Sequence, residues 1–297
     1  MISPNYLQKN NTVAIVSTAR KITLKEIKPA IKLLESWGLN VVIGKTIGLE
    51  ESQFAGNDKE RTDDFQKMLD NSKINAIWCA RGGYGTVRII DYLDFTKFKK
   101  NPKWIIGYSD VTVLHNHIHT FGVETLHATM PINILKNSKE ALITLKNSLF
   151  GKAISYEINA AKENKLGTVS GVLIGGNLSI LYSLLGSKSC LDTANKILII
   201  EDLDEYLYHI DRMLMNLKRN GYFENLNGLI IGGITDMRDN EIPFGKTVKE
   251  IILDIVSEYN FPVVFDFPAG HIDDNRALIL GRKVKLEVDE KEVRLSF

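Results

Sequence analysis

The stretch that decides the fold is residues 103–112, which read Lys-Trp-Ile-Ile-Gly-Tyr-Ser-Asp-Val-Thr. Its start, Lys103–Ile106, is a short apolar run, which is typical of a buried strand in a parallel sheet. The pattern then changes to one that predicts a helix over Val111–Phe121. A strand that passes through a sharp turn into a helix is the repeating unit of a parallel α/β sheet. The segment therefore predicts that Ser109 lies on a turn at the carboxyl end of a strand.

The same alternation extends outward from this segment. Apolar runs predict strands at Thr12–Ser17, Val41–Ile43 and Asn75–Ala80, and helices are expected between them, including one over Val87–Leu93. A helix is expected over Ser138–Leu149, and Ile154–Leu166 is polar and weakly patterned. The tail, over 277–295, partly alternates as antiparallel strands do. We therefore expect an α/β protein with a parallel-sheet domain over 1–136, a linker over 137–166, and a smaller mixed α/β domain over 167–297.

The composition is that of a soluble globular protein. The chain has 297 residues, of which 44% are hydrophobic and 25% charged. Its 37 basic and 36 acidic residues give a net charge of +1, which offers no electrostatic reason to expect nucleic acid or a membrane surface as a partner. No signal peptide or spanning segment is evident, and the two cysteines lack a CxxC spacing. We expect a cytoplasmic location with no disulfide and no zinc site.

Ser109 has two interpretations from its own segment. A serine on a strand-to-helix turn can act as a nucleophile, with the amide of Asp110 as one donor to the oxyanion. A Ser-Asp pair at a helix start is also an ordinary N-cap, and this segment alone favours the cap. The full G-x-S-x-G pattern is absent because position 111 is Val.

A glycine loop, Arg81–Gly–Gly–Tyr–Gly85, follows the strand Asn75–Ala80. It matches neither the dinucleotide fingerprint nor the Walker pattern, so a phosphate cradle is disfavoured. The remaining alternatives are a loop that binds an oxyanion or a substrate carboxylate, and a plain tight turn. If the loop is functional, it lies beside the Ser109 turn, because the carboxyl ends of parallel strands share one edge of the sheet.

A histidine and a carboxylate are candidates for the base and its orienting partner. His271 follows Phe267–Gly270 in a loop after a strand, and Glu201 closes the apolar strand Ile197–Ile200. The alternative for Glu201 is that the acids of 201–205 form a solvated turn. Three further histidines, spaced H-x-H-x-H, permit a metal site, but solvated or core-edge histidines are favoured and no metal is expected. They are His115, His117 and His119.

Six segments, in order along nearly the whole chain, resemble the LD-carboxypeptidase family of serine peptidases, which trim cell-wall muropeptides. Each segment is weak by itself, and the resemblance rests on their order and separations. They are Phe54–Arg61, Ala76–Gly85, Ile106–Thr112, Gly175–Leu178, Ile200–Asp202 with Tyr208–Leu214, and Gly270–His271.

The resemblance implies a Rossmann-like N-terminal domain and a smaller α/β C-terminal domain. It implies a catalytic triad of Ser109, His271 and Glu201, and an oxyanion hole formed by the amides of Asp110 and Gly83. It further implies a homodimer that needs no cofactor and releases the terminal D-Ala from murein tetrapeptides. Arg81 is a candidate for binding the substrate's terminal carboxylate.

Two rival functions stay open. Microcin C immunity peptidases belong to the same family and are implied to share the triad, but they act on a different small substrate. A ligand-binding module without chemistry is the rival from another class, and the missing phosphate fingerprints argue against it.

Overall fold

A computed structural model describes all 297 residues, which divide into two compact units. The first unit comprises Met1–Ala153 and Asp273–Ile279, and the second comprises Ile154–Ile272 and Leu280–Phe297. The expected linker 137–166 is therefore divided between the units at Ala153. The segment Asp273–Ile279, expected in the C-terminal domain, belongs to the first unit.

The elements alternate between strand and helix through most of the chain. The strands are β1 Thr12–Val16, β2 Asn40–Ile43, β3 Ala76–Cys79, β4 Trp104–Gly107, β5 Thr125–His127, β6 Ser155–Asn159, β7 Gly167–Asn177, β8 Lys196–Leu203, β9 Gly228–Thr235, β10 Val263–Val264, β11 Leu278–Leu280, β12 Lys283–Val288 and β13 Glu292–Ser296. The helices are α1 Leu24–Ser36, α2 Asp58–Asp70, α3 Thr96–Lys100, α4 Thr112–His119, α5 Lys139–Leu149, α6 Leu178–Ser183, α7 Leu207–Arg219 and α8 Val248–Ile255. None of these helices combines the length and hydropathy that crossing a membrane requires.

The first sheet has six strands in the order β11-β5-β4-β3-β1-β2. The pairs from β2 through β5 are all parallel. Strands β3 and β4 are buried along their whole length, as interior strands of a parallel sheet are. The order β2-β1-β3-β4-β5 is the flavodoxin type of doubly wound sheet, in which the chain changes direction between β1 and β3. Loops that follow β1 and β3 therefore flank a natural ligand crevice.

The second sheet has seven strands in the order β10-β9-β8-β7-β12-β13-β6. Strands β7 to β10 pair in parallel, and β7, β12, β13 and β6 pair antiparallel. Apolar residues of α6, α7 and α8 pack with those of the parallel strands in one buried core. The fold prediction is confirmed: a parallel-sheet N-terminal region is followed by a second, mixed sheet.

Local sequence signals set where the helices begin. Helices α1, α2 and α8 each start with a capping box, in which Thr23, Asn57 and Thr247 pair with a glutamate three residues on. The long helix α7 has no such cap, and it buries Ile210, Met213, Leu214 and Leu217 at helical spacing.

Two local expectations differ from the structure. The helix expected over Val87–Leu93 is replaced by two 3₁₀ turns, Thr86–Arg88 and Ile90–Tyr92. Where the first turn begins, the carbonyl of Gly85 and the amide of Thr86 are bonded to the side chains of Arg61 and Asp110. The polar stretch after Ala153 contains β6, whose register with β13 runs from Ser155 to Asn159. Its weak pattern reflects an edge strand with several exposed residues.

Candidate active site

Ser109 lies on the predicted turn in a strained backbone conformation. Its φ is +61°, in the left-handed region that residues with a side chain seldom adopt. It follows β4 and opens the 3₁₀ turn Ser109–Val111 that leads into α4. No side-chain capping bond is present at the start of the 3₁₀ turn or of α4. Tyr108 is the N-cap residue of the 3₁₀ turn and Val111 is that of α4, so Ser109 occupies neither capping position.

The buried His115 bonds to the backbone of Gly107, two residues before Ser109. Nε2 of His115 lies 2.9 Å from the carbonyl oxygen of Gly107 and donates to it, since a carbonyl can only accept. Burial lowers the pKa of His115 to about 3, so the ring is neutral. His117 instead contacts the rings of Phe95 and Phe121. These histidines do not converge, and the chain contains no group of three or more His, Cys, Asp or Glu residues arranged to hold a metal ion.

The glycine loop contacts the serine through Gly82. A Cβ atom placed on Gly82 would lie 3.1 Å from both Cβ and Oγ of Ser109, and 3.3 Å from the amide nitrogen of Asp110. The loop after β3 and the turn after β4 therefore lie side by side, as expected for neighbouring parallel strands. Gly83, the expected second oxyanion donor, is the next residue along this loop, and its α-carbon faces the side chain of Arg20.

The carboxylate of Asp110 fastens the glycine loop to the Ser109 turn. Its Oδ2 accepts a hydrogen bond of 2.9 Å from the backbone amide of Thr86, at the end of the loop. Burial raises the pKa of Asp110, while hydrogen bonds from Thr86 and Gly85 and the charge of Arg61 oppose that change. The sequence suggested a role only for the backbone amide of Asp110, so this role of its side chain was missed.

Arg61 is a second residue that sequence reasoning missed. Its side chain is fully buried, and Nη1 donates to the carbonyls of Thr18 at 2.7 Å and Gly85 at 2.9 Å. It also forms an ion pair with Asp58. Arg61 thus joins the loop after β1 to the glycine loop after β3. The only sequence signal was its place in the Phe54–Arg61 segment.

Glu201 and His271 form a hydrogen-bonded pair in the second unit. Nδ1 of His271 lies 2.6 Å from Oε2 of Glu201, the carboxylate is fully buried, and the imidazole is 14% exposed. Burial by itself would lower the pKa of His271, but the charge and hydrogen bond of Glu201, aided by Asp202, outweigh it and raise the pKa. With Nδ1 donating to the carboxylate, a neutral imidazole presents Nε2 as an acceptor.

The glycine before His271 permits this pairing. A Cβ atom on Gly270 would lie 2.6 Å from Cβ of Glu201 and 2.8 Å from its Oε2. Gly270 also forms a bridge with Gly233 of β9, which fixes the loop on the strand next to β8. Only a residue without a side chain lets the loop approach the glutamate this closely.

Asp202 has a different role from its neighbour Glu201. Its carboxylate accepts hydrogen bonds of 2.9 Å from the side-chain amide of Asn177 and from the backbone amide of Ser179, at the start of α6. Burial first, and then the charge of Glu201, raise the pKa of Asp202 to about 6. Asp202 therefore stabilises the helix start, whereas Glu201 orients the histidine.

Arg81 makes one hydrogen bond to the backbone of the first unit. Its Nη1 donates to the carbonyl oxygen of Lys21 at 3.1 Å, and the side chain is half-buried. It lies at the start of the glycine loop.

Two family descriptions match most of the chain. The LD-carboxypeptidase N-terminal domain matches residues 13–128, and the LD-carboxypeptidase C-terminal domain matches residues 170–286. The resemblance seen in the sequence is thereby confirmed.

Curated relatives align with the chain along nearly its whole length. The probable murein peptide carboxypeptidase of Bacillus subtilis is 32% identical over 97% of this chain and 92% of its own. The microcin C7 self-immunity protein of Escherichia coli is 26% identical over 90% of this chain and 86% of its own.

Solved structures share the fold. The crystal structure of muramoyltetrapeptide carboxypeptidase from Oxalobacter formigenes superposes with a TM-score of 0.87 at 26% identity, covering 96% of this chain and 98% of that one. The microcin immunity protein in complex with glutamyl sulfamoyl guanosine gives a TM-score of 0.88 at 23% identity, covering 99% and 98%. At that identity the second likeness concerns the fold alone.

Proposed function

Because this chain belongs to the LD-carboxypeptidase family, and is therefore a serine-type carboxypeptidase, we propose that it releases the terminal D-Ala from murein tetrapeptides. The observation that carries the proposal is the bond between His271 and Glu201. Burying a carboxylate costs stability even when it is paired, and orienting the imidazole of a serine peptidase is a function that accounts for retaining it.

The proposed catalytic residues are Ser109, His271 and Glu201, acting as one triad. Oγ of Ser109 attacks the scissile carbonyl carbon while Nε2 of His271 takes the hydroxyl proton. Glu201 holds the Nδ1–H tautomer and stabilises the imidazolium that forms. The strained φ of Ser109 supports the role of nucleophile, because it exposes Oγ at the carboxyl end of β4.

The proposed oxyanion donors are the backbone amides of Asp110 and Gly83. Backbone amides at the start of a helical turn are free to donate to developing negative charge. The contact of Gly82 with Ser109 and Asp110 supports this assignment, since it brings the glycine loop to the nucleophile. Losing one such donor costs about 3 kcal/mol of transition-state stabilisation.

The acyl-enzyme is then resolved by water. The imidazolium of His271 protonates the amine of D-Ala as the C–N bond breaks, and the neutral ring next takes a proton from the attacking water. The second tetrahedral intermediate collapses as the bond from the carbonyl carbon to Oγ of Ser109 breaks, and the imidazolium returns its proton to Oγ, which leaves free Ser109 and a tripeptide. The mechanism uses only side chains and backbone of this chain, and we propose no metal or organic cofactor.

We assign the substrate from the family and the named relatives. The curated relative at 32% identity is described as a murein peptide carboxypeptidase. The bond to be cleaved joins the L-centre of the third, dibasic residue to the terminal D-Ala. The protein would then act in peptidoglycan recycling in the cytoplasm as a homodimer, a state that light scattering of the purified protein measures directly.

The relative from Escherichia coli favours a second candidate, a microcin immunity peptidase. The two functions differ in the substrate and share the triad. Purified protein is incubated in parallel with the murein tetrapeptide and with an aspartyl or glutamyl sulfamoyl nucleoside, and products are followed by mass spectrometry. Faster turnover of the tetrapeptide supports the first function, and faster turnover of the nucleoside supports the second.

Labelling with a fluorophosphonate probe tests the nucleophile independently of substrate. The probe is expected to label the wild-type protein at Ser109 and to leave Ser109→Ala unlabelled. Ser36→Ala is the matched control, because Ser36 is exposed and donates only to a carbonyl in its own helix. Labelling at another residue would overturn the assignment of the nucleophile.

A further inference from the structure

Arg20 has a fixed backbone and a side chain that makes no bond within the fold. Its backbone is fixed on both sides, since the Ser17 hydroxyl donates to the Arg20 carbonyl at 2.7 Å and the Lys21 amide donates to the Gln53 carbonyl at 2.9 Å. Arg20 also forms a bridge with Phe54. The side chain is exposed, and its guanidinium makes no hydrogen bond or ion pair. The guanidinium is therefore free to bind a ligand without breaking a bond of the fold.

Arg20 lies at the crevice that the sheet topology creates. It belongs to the loop after β1, and the glycine loop follows β3. These two strands are neighbours at the point where the strand order reverses. Doubly wound sheets bind their ligands outside the carboxyl ends of the strands at such a point.

Two adjacent glycines connect Arg20 to the nucleophile. A Cβ atom on Gly83 would lie 2.5 Å from Cδ and 2.7 Å from Nε of Arg20, and the φ of Gly83 is +112°. A Cβ atom on Gly82 would lie 3.1 Å from Oγ of Ser109. Consecutive α-carbons are about 3.8 Å apart. The arginine and the serine therefore contact positions one residue apart on the same loop.

The charges around Arg20 leave it available to an anion. Arg81 is a second cation there: burial, followed by the charge of Arg20, lowers the pKa of Arg81. Two acids of the neighbouring segments are bonded to other residues. Glu26 accepts from the amide and hydroxyl of Thr23, and Glu50 forms an ion pair with Lys21.

We propose that Arg20 binds the terminal carboxylate of the peptide substrate. In a carboxypeptidase this carboxylate lies one residue beyond the scissile carbonyl, which matches the one-residue separation of the positions that Ser109 and Arg20 contact. A guanidinium can bind both carboxylate oxygens through its fork of N–H groups. This inference rests on the proposed function and gives Arg20 the role that the sequence suggested for Arg81. If Arg20 binds this carboxylate, the peptide substrate needs a free C-terminus for productive binding.

Calorimetric binding to the Ser109→Ala protein tests the inference without turnover. The two ligands are the murein tetrapeptide with a free terminal carboxylate and the same peptide with a terminal amide. The acid is expected to bind about 10- to 100-fold more tightly, as for one charge-assisted contact. When Arg20→Gln is added to Ser109→Ala, the affinities for acid and amide are expected to differ by no more than about threefold. Arg20→Lys in the same background is expected to restore part of the preference for the acid, because lysine keeps the positive charge but lacks the fork of N–H groups.

The matched control is Lys21→Gln in the same Ser109→Ala background. It removes one positive charge from the adjacent, partly exposed residue, whose ammonium group already pairs with Glu50. The control is expected to keep the same preference for the acid over the amide as the Ser109→Ala protein without a further change. Equal binding of acid and amide by the Ser109→Ala protein, no binding of the acid, or the same ratio after Arg20→Gln would each overturn the inference. Failure of the proposed function is a different result, namely that wild-type protein does not hydrolyse the tetrapeptide.

Discussion

The carboxylate of Asp110 accepts a hydrogen bond from the backbone amide of Thr86 at 2.9 Å, and this bond joins the nucleophile turn to the end of the glycine loop. The residue after the serine therefore has two roles. Its amide is a proposed oxyanion donor, and its side chain sets where the loop lies. A buried carboxylate at 1% exposure costs stability, and its hydrogen bonds offset part of that cost.

Replacing Asp110 by Ala is expected to reduce kcat by at least about 10-fold and to lower the free energy of unfolding by about 1–3 kcal/mol, because the Thr86 amide loses its acceptor while staying buried. Asp110→Asn keeps an oxygen for this amide and is expected to retain more activity. Steady-state kinetics and denaturant unfolding measure both effects. Asp91→Ala, at an exposed acid near the loop, is the control. Equal kcat in Asp110→Ala and Asp91→Ala would contradict the positioning role.

Replacing Glu201 by Gln is expected to lower kcat by up to about 10⁴-fold, because the amide cannot hold the productive tautomer of His271 in the way a carboxylate does. The change also removes the charge that raises the pKa of His271, so this pKa is expected to fall. NMR titration of the imidazole measures the pKa directly. Since the base must be neutral, the acidic limb of the pH–rate profile is expected to move to lower pH.

Glu205→Gln is the matched control for Glu201. Glu205 lies 2.6 Å from Nδ1 of His209, so the chain offers a second histidine–glutamate pair with the same geometry. This control is expected to leave kcat within about threefold of wild type. A similar loss of activity in both variants would contradict a specific role of Glu201 in catalysis.

Replacing Gly82 by Ala is expected to lower kcat with little change in stability. The new methyl group would lie 3.1 Å from Oγ of Ser109, which is closer than such contacts normally come. The φ of Gly82 lies outside the positive region, so alanine adds no backbone strain there. The melting temperature and kcat are measured together. Gly228→Ala is the matched control, because Gly228 is also buried with φ outside the positive region and its added methyl group would lie 3.3 Å from Cγ2 of Val169. It is expected to leave kcat unchanged.

The lowered pKa of the buried Lys103 predicts that the free energy of unfolding depends on pH, independently of catalysis. Its Nζ donates to the carbonyls of Met68 at 3.0 Å and Asn71 at 2.8 Å, at the end of α2, and burial lowers its pKa to about 8. Between about pH 8 and the ordinary lysine pKa near 10.5, the unfolded chain holds more protons than the folded one, so this group makes stability rise with pH. Denaturant unfolding at pH 8 and pH 10 is expected to show a smaller rise in Lys103→Met than in wild type. The control Lys100→Met, at an exposed position, is expected to keep the wild-type difference.

The fold class and the pair Glu201–His271 could be predicted from the sequence because each depends on a local signal. Buried strands have short apolar runs. Glu201 follows one such run in the sequence and His271 lies in a loop after another, in segments whose order along the chain resembles that of one family. The family resemblance implies the pairing of the two across 70 residues, and the structure places Nδ1 of His271 2.6 Å from Oε2 of Glu201.

The contacts of Asp110, Arg61 and Gly82 could not be read from local patterns. Asp110 bonds to a residue 24 positions earlier, and Arg61 bonds to one 43 positions earlier. Such contacts depend on which loops share an edge of the sheet. The strand order β2-β1-β3-β4-β5, which the sequence did not specify, decides that the loops after β1, β3 and β4 meet. The exposed side chain of Arg20 gave no sequence signal for the same reason.

The release of D-Ala from the murein tetrapeptide, compared between wild type and Ser109→Ala, tests the central claim most directly. We expect the wild-type protein to release D-Ala, and the variant, with an unchanged melting temperature, to lose at least about 10⁴-fold in rate because no other group can form the acyl-enzyme. A variant that keeps a rate within tenfold of wild type would contradict the assignment of Ser109 as the nucleophile.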